Sequence, residues 1–285
     1  METVNNMFQI FGGRGFVGSR YRSLYPNRII FANDRDDRSI VHQDILYMIS
    51  TVHNYNVFED PHLDINTNLN VLVDVLDNWK LYQRTFNKQG TFNFISSWFV
   101  YGDQKDLGVK EDSYCNPKGF YSITKRAAEQ LLISYCETFG LNYRILRLGN
   151  VIGPGDSKVS SKKNALQYLV NKLKNNEDIE IYDDGRFHRD YISVDDCCDA
   201  INLVITKGNQ DEIYNIGNGK SWQFKDILYY TRRLLNSKSK INFVPAKPFH
   251  DIVQVKSFYM DNSKIQNLGY KPNHTNEKLF DLLLI

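Results

Sequence analysis

Between Phe8 and Leu148 short apolar runs alternate with longer amphipathic ones. The apolar runs are Phe8–Phe11, Arg28–Ala32, Ile45–Ser50, Thr91–Ile95 and Tyr143–Leu148. Each is rich in β-branched or aromatic residues and nearly unbroken, the pattern of strands buried on both faces of a parallel sheet. The stretches between them, Val17–Leu24, Thr67–Trp79 and Tyr121–Phe139, are helix-like. In the second, Leu69, Leu72, Val73 and Leu76 recur at helical spacing along one face. Regular strand–helix alternation predicts an open parallel sheet with helices on both sides. The gap between Ala32 and Ile45 is too short for an ordinary crossover helix, so the sheet is expected to be trimmed or irregular there.

After Gly149 the pattern changes. Gly153-Pro154-Gly155-Asp156 reads as a loop, and a basic polar stretch over 157–163 leads into a helix-like run, Asn164–Lys174. Short strands follow at Ile179–Tyr182, Ile213–Ile216 and Ile241–Val244. Residues 1–150 are therefore expected to form the main α/β domain. Residues 151–285 are expected to supply mainly a smaller mixed α/β lobe, with segments that interleave.

Composition narrows the class. In 285 residues, 42% are hydrophobic and 24% charged, which excludes disordered and fibrous chains. Thirty-five basic residues stand against 33 acidic ones, a net charge of +2 with both signs dispersed. That balance gives no reason to expect a nucleic-acid or membrane partner. The start of the chain, Met1 to Met7, lacks the basic and apolar regions of a signal peptide. Cys115, Cys136, Cys197 and Cys198 show no paired spacing, so reduced thiols and a cytoplasmic setting are expected. No cluster has metal-ligand spacing, and no metal is expected.

The first apolar run leads directly into Gly12-Gly13-Arg14-Gly15-Phe16-Val17-Gly18. Glycines at this spacing let backbone turn sharply and approach a pyrophosphate, and the helix that follows offers its N–H groups to the phosphates. Strand, glycine loop and helix in this order point to a dinucleotide, with Gly12, Arg14, Gly15, Phe16, Val17 and Gly18 as contacts. The end of the second strand should separate NAD from NADP, and Asn33, Asp34 and Arg35 there argue both ways. Arg14 and Arg35 tilt the reading to NADP, with NAD as the alternative.

Tyr121 and Lys125 lie four apart at the start of a helix-length run, so they share one helix face. An ammonium beside a phenol favours the phenolate and draws its pKa toward the working range. Upstream, Ser96-Ser97 ends a strand and leads into Trp98-Phe99-Val100-Tyr101-Gly102. Leu146-Arg147…Asn150, Arg189-Asp190-Tyr191, Val194-Asp195-Asp196 and Tyr214-Asn215-Ile216-Gly217 follow in order. Together these motifs resemble the extended short-chain dehydrogenase/reductase family, the nucleotide-sugar epimerases, dehydratases and ketoreductases, over nearly the whole chain.

The resemblance implies a Rossmann-type doubly wound parallel sheet with a smaller substrate-binding lobe. It implies Tyr121 as acid/base, Lys125 as the group that holds the cofactor ribose and tunes Tyr121, and Ser97 as the residue bonding the reacting sugar oxygen. It places Ser50 on the cofactor, Asn68 at a structural and proton-relay position, and Asn150 and Arg189 on a nucleotide-diphosphate sugar. His53, in a polar segment where the family has a small-residue turn, is a further substrate candidate. The family's 4,6-dehydratases carry an Asp-Glu pair after the catalytic hydroxyl residue. Here Trp98-Phe99 stands in its place, and neither can act as an acid or base. The expected activity is an NADPH-dependent 4-ketoreductase of a nucleotide-linked 4-keto-6-deoxy sugar, with an NAD-dependent 4-epimerase as the alternative. The resemblance also implies a homodimer formed by the Thr67–Trp79 and Tyr121–Phe139 helices.

Overall fold

A computed structural model describes residues 7–156, 159–255 and 257–285. Its main sheet contains β1 (Phe8–Phe11), β2 (Ile29–Ala32), β3 (Ile45–Tyr47), β4 (Thr91–Ser97) and β5 (Asn142–Leu148). Through the second half run β6 (Asn150–Ile152), β7 (Ile179–Tyr182), β8 (His188–Arg189), β9 (Tyr191–Ser193), β10 (Glu212–Ile216), β11 (Trp222–Gln223) and β12 (Ile241–Val244). The six-stranded sheet has the order β10-β5-β4-β3-β1-β2, and every pair in it is parallel.

Helices α1 (Phe16–Leu24), α2 (Leu63–Ile65), α3 (Val71–Thr85), α4 (Phe120–Phe139), α5 (Ala165–Lys174), α6 (Val194–Lys207), α7 (Phe224–Leu234), α8 (Pro248–Val253) and α9 (Ser263–Asn267) surround the strands. Alternate strand residues feed opposite faces of the main sheet, as the pleat requires. Phe8, Ile10, Leu46, Leu146 and Leu148 pack with Tyr21 of α1 and Cys197, Ala200, Ile201 and Val204 of α6. Phe11, Ile45, Tyr47, Phe92, Phe94 and Ile145 pack with Leu72, Val75, Leu76 and Trp79 of α3 and Ala128 and Leu132 of α4.

Three expectations are corrected. The strand over 213–216 belongs to the main sheet, not to the lobe: β10 lies beside β5, and Tyr214 and Ile216 are buried in the α1/α6 layer. The third apolar run stops pairing as a strand at Tyr47, and the chain bends through Met48–Ser50. The helix expected over 67–79 begins four residues earlier at Leu63, passes through a π-helical turn at Asn66–Asn70, and continues to Thr85. Its last turns escaped the apolar pattern because a buried polar residue, Gln83, occupies a core-facing position there.

The trimmed region is literal. No helix or strand forms between Ala32 and Ile45, so β2 is the sheet edge and β3 crosses to the far side of β1. Buried Gln9 in β1 substitutes for the missing element. Its Oε1 accepts from the Val41 and His42 amides at 2.8 and 3.3 Å. Its Nε2 donates to Asn33 Oδ1 and to the Ser39 carbonyl, both at 2.6 Å. From the helix side, Trp79 Nε1 and Gln83 Nε2 donate to the Gln43 carbonyl at 2.7 and 2.8 Å.

The lobe has its own core. Ile152, Leu166, Val170, Ile179, Ile181, Phe224, Ile227 and Leu228 pack against Leu279, Phe280 and Leu283 near the end of the chain. Parallel pairs β6–β9 and β7–β12 and the antiparallel pair β8–β11 frame it.

Replacing Gln9 with Ala strips two backbone amides of their acceptor and leaves buried Asn33 short of a donor. We expect a loss of about 2 kcal/mol in denaturant unfolding. Hydrogen exchange should quicken at Val41 and His42 while the amides of β4 stay protected.

Candidate active site

A cleft of about 1470 Å³ runs along the C-terminal ends of β1, β3, β4 and β5 and under the lobe. It opens where β2 and β3 leave β1 in opposite directions, the switch point at which open α/β sheets hold ligands. On the main-domain side it meets Gly12, Arg14, Gly15, Phe16, Val17 and Gly18, all six residues expected from the glycine loop.

The loop's shape explains its glycines. Gly12 has φ +77°, and a Cβ there would lie 2.7 Å from the Met48 carbonyl carbon. A Cβ on Gly18 would lie 2.7 Å from the Gly12 oxygen, so this residue lets α1 sit directly on β1. Gly15 precedes α1 with no side-chain cap, leaving the first N–H groups of the helix available to an anion. Arg14 pairs with Asp34 at the rim, and both are largely exposed. Asn33, Asp34 and Arg35 do not line the cleft. The Asn33 side chain is turned inward, accepting from Gln9 and donating to the Ser39 carbonyl at 3.0 Å.

Ser97, Tyr121 and Lys125 converge at the cleft floor, all buried. Tyr121 shares the cleft with Ser97 and Ser50, both of which act to lower its pKa. Lys125 Nζ donates to the Ile95 carbonyl at 2.7 Å and lies 4.1 Å from the centre of the Phe94 ring. Burial outweighs the mutual tuning expected from the spacing. It pushes Tyr121 up to about 12, and it pulls Lys125 down to about 7, against the opposing influence of the Glu129 carboxylate.

Several partners hold this constellation in place. Gly119, at φ +87°, precedes α4 and offers no cap. Buried Asn54 supplies one from a distance, accepting from the Ser122 amide at 3.1 Å. One turn beyond Lys125, Glu129 receives both Arg147 Nε at 2.9 Å and Arg147 Nη2 at 2.8 Å. Arg147 lies 4.6 Å from the centre of the Tyr101 ring, and the Tyr101 hydroxyl donates to Asn215 Oδ1 at 2.6 Å. Asn68, on the π-helical turn, accepts from Ser50 Oγ at 3.1 Å and the Thr51 amide at 2.9 Å. It donates to the hydroxyls of Thr51 and Thr124 at 2.8 and 2.9 Å.

Asn150, Arg189 and His53 also reach the cleft. Asn150 Nδ2 donates to the Asp190 carbonyl at 2.9 Å. Arg189 is buried, 4.7 Å from the centre of the Phe187 ring and 5.6 Å from that of Trp98, and burial lowers its pKa to about 10. Burial also lowers the His53 pKa, and its Nδ1 has no hydrogen-bond partner among the described residues. Asp190 and Asp196 are structural. Asp190 accepts from the Asn218, Gly219 and Met260 amides, and Asp196 accepts from Asn273 and His274. Of the basic stretch, Ser157 and Lys158 lie outside the described residues, while Lys162 and Lys163 line the cleft.

The sequence reading missed an aromatic group that closes the cleft from both lobes. The Tyr55 hydroxyl lies 3.2 Å from His250 Nδ1, Phe249 meets Tyr55 and Phe58 edge-on, and Tyr182 meets His250. It also missed Thr51, which lines the cleft and which no local pattern distinguishes. Among the described residues no group of three His, Cys, Asp or Glu side chains is gathered as for a metal ion, and no helix is long and apolar enough to cross a membrane.

The family described as NAD dependent epimerase/dehydratase matches residues 33–217. The chain is 28% identical over 250 residues to the dTDP-glucose 4,6-dehydratase of Xanthomonas campestris pv. campestris, covering 82% of this chain and 69% of that one. Its fold matches the UDP-glucose 4-epimerase of Thermotoga maritima solved with UDP-glucose, with a TM-score of 0.83, 20% identity and 97% of each chain covered. It also matches RMD of Pseudomonas aeruginosa, solved with NADPH, with a TM-score of 0.81, 19% identity, 98% of this chain and 97% of that one.

The low pKa of Lys125 makes folding pH-dependent. The unfolded chain keeps this lysine protonated up to about pH 10.5, while the folded chain gives up the proton near pH 7. Between those values the unfolded state binds more protons, so this group's penalty on the fold is full below pH 7 and shrinks as pH rises. In the chain without ligands, the stability advantage of Lys125→Met over the parent should therefore fall between pH 7 and 9, by up to about 1.4 kcal/mol per pH unit. Urea unfolding at several pH values measures it.

Proposed function

The chain belongs to the NAD dependent epimerase/dehydratase family, and from that premise we propose that it is an NADPH-dependent 4-ketoreductase of a nucleotide-linked 4-keto-6-deoxy sugar. One observation carries the reading. Where the 4,6-dehydratases place an acidic pair, Trp98 and Phe99 are stacked with centroids 4.1 Å apart, and Phe99 meets the Tyr121 ring edge-on at 6.0 Å. With no carboxyl in this turn to take a proton or protonate a leaving hydroxyl, hydride transfer at a sugar carbon is the remaining chemistry.

The glycine cradle and the uncapped start of α1 fit a dinucleotide, and Gly12, Gly15, Phe16 and Val17 would hold its pyrophosphate. A bound reduced nicotinamide supplies the hydride. Tyr121 donates its proton to the C4 oxygen, Ser97 shares that hydrogen bond, and Lys125 supports Tyr121 and the cofactor ribose. Burial holds Tyr121 in its protonated form, the state a reductase needs at the start of turnover. Arg189, Lys162 and Lys163 are among the cations that line the cleft and could meet a diphosphate, Lys162 and Lys163 in competition with Glu59 and Asp156.

Arg14 at the cleft rim supports NADPH, since a 2′-phosphate would compete with Asp34 for its guanidinium. The same ion pair favours a second reading. Asp34 offers a carboxylate to a free ribose, which suits NAD and a 4-epimerase that keeps its cofactor bound.

We also propose a homodimer through α3 and α4, on which Val73, Leu81 and Leu131 are exposed.

Purified protein should reduce 4-keto sugar nucleotides faster with NADPH than with NADH, and Tyr121→Phe should lower turnover by about 10²-fold or more. NAD that survives purification in stoichiometric amount, together with inversion of a UDP- or dTDP-hexose without added reductant, would establish the epimerase instead. Changing Leu81 and Leu131 to Glu should halve the mass in solution, and an unchanged mass would count against this dimer.

A further inference from the structure

The two ends of the cleft offer a dinucleotide different surroundings. In an open α/β sheet such a ligand straddles the switch point, with its pyrophosphate at the start of the first helix and its adenosine over the end of the second strand. The end of the cleft beyond the glycine loop is enclosed, lined by Ser97, Trp98, Tyr121 and Lys125, all four buried. At the adenosine end the lining passes from Ser19 directly to Met48. Among the described residues none between Arg20 and Tyr47 reaches the cleft, so neither β2 nor the turn after it supplies a wall.

The fold explains that open end. Among the described residues β2 is the sheet edge, and no helix forms between Ala32 and Ile45 to pack over its end. The turn over residues 33–39 spends its polar groups on itself and on the body of the domain. Asp37 Oδ1 accepts from the Ser39 amide at 2.8 Å, and Arg38 Nη1 donates to the Arg35 carbonyl at 2.7 Å. The Arg38 carbonyl accepts from Asn78 Nδ2 on α3 at 3.2 Å. With Asn33 turned inward on Gln9, the group this turn leaves at the rim is Asp34, exposed and paired with Arg14.

We propose that this chain binds its nicotinamide dinucleotide without reading the adenine: the base lies outside the cleft, and the pyrophosphate and nicotinamide halves carry recognition. The glycine cradle and the uncapped start of α1 meet a pyrophosphate through backbone, which is blind to the base attached to it. A base is read through hydrogen bonds to its edge or by stacking on an aromatic ring. Phe16, the aromatic residue of the loop, packs against the α1/α6 layer. The charged pair at the rim, Arg14 and Asp34, suits a ribose or its 2′-phosphate rather than a neutral base. An unheld base leaves readily, so the cofactor exchanges between turnovers as a co-substrate does. Adenine is common to NAD and NADP, and the proposal holds for either.

The proposal rests on a nicotinamide dinucleotide occupying this cleft, and its test measures binding to the full chain rather than turnover. The probe is etheno-NADP, in which a two-carbon bridge across the amino group makes the base fluorescent, larger and unable to form adenine's edge hydrogen bonds. A site that hydrogen-bonds a base rejects the altered one by about tenfold or more, so binding within about threefold of NADP is the expected result here. The fluorescence of the bound base should also be quenched by acrylamide as readily as that of free etheno-AMP. Weaker binding than that limit, or a bound base shielded from acrylamide, overturns the proposal and places the adenine in a pocket. These outcomes leave the dinucleotide reading standing, because NADP itself still binds. Failure of NADP, NAD and the probe alike to bind overturns that reading, and this proposal with it.

Discussion

The site depends on a buried ion pair that none of its reacting groups belongs to. Glu129 on α4 and Arg147 on β5 are both out of water, joined by two parallel hydrogen bonds, with Arg126 adding a third at 2.8 Å. Removing one partner of such a pair costs about 3–5 kcal/mol, because the other charge is left buried alone. The pair pins α4 against the middle of the sheet in one register. Lys125, one turn earlier, then meets the Ile95 carbonyl, and Tyr121, a further turn back, meets Ser97. Arg147 also donates to the Glu111 carbonyl at 3.0 Å, which ties the segment after β4 to the same anchor.

Around that anchor the chain has economised. Lacking one strand and its crossover helix, it holds residues 39–43 with side chains instead: Gln9 from inside β1, and Trp79, Tyr82 and Gln83 from α3. A sheet ladder satisfies backbone groups with backbone. Here amide and indole side chains satisfy them, which is why polar residues occupy core-facing positions in β1 and α3. The shortened edge leaves the glycine loop and the crevice beside β1 and β3 intact.

The two ends of the cleft differ in character. At the sheet end lies a polar network in which Asn68 joins Ser50, Thr51 and Thr124, beside Ser97 and Tyr121. Toward the lobe the walls are aromatic, with Trp98 and Phe99 beside the reacting groups and Tyr55, Phe249 and His250 bridging the lobes. Aromatic walls exclude water and leave acid–base work to the few hydroxyls and the lysine on the floor, in keeping with hydride chemistry.

The sequence by itself determined the strand–helix alternation, the glycine loop and the pairing of Tyr121 with Lys125. Those features depend on local spacing: apolar runs bury strands, glycines permit a tight approach, and residues four apart share a helix face. It also showed that something was missing after Ala32, because chain length bounds what can form there. Only the tertiary structure decided that Gln9 fills that gap, that β10 joins the main sheet, and that Asn54 caps α4. Those partnerships join residues between 24 and 68 positions apart, or pair strands by register, and no short-range pattern encodes either. The balance of charge in the site was likewise beyond local reading. Spacing predicts that a lysine lowers the pKa of its tyrosine, but in the folded chain burial raises one and lowers the other, and burial belongs to the assembled structure.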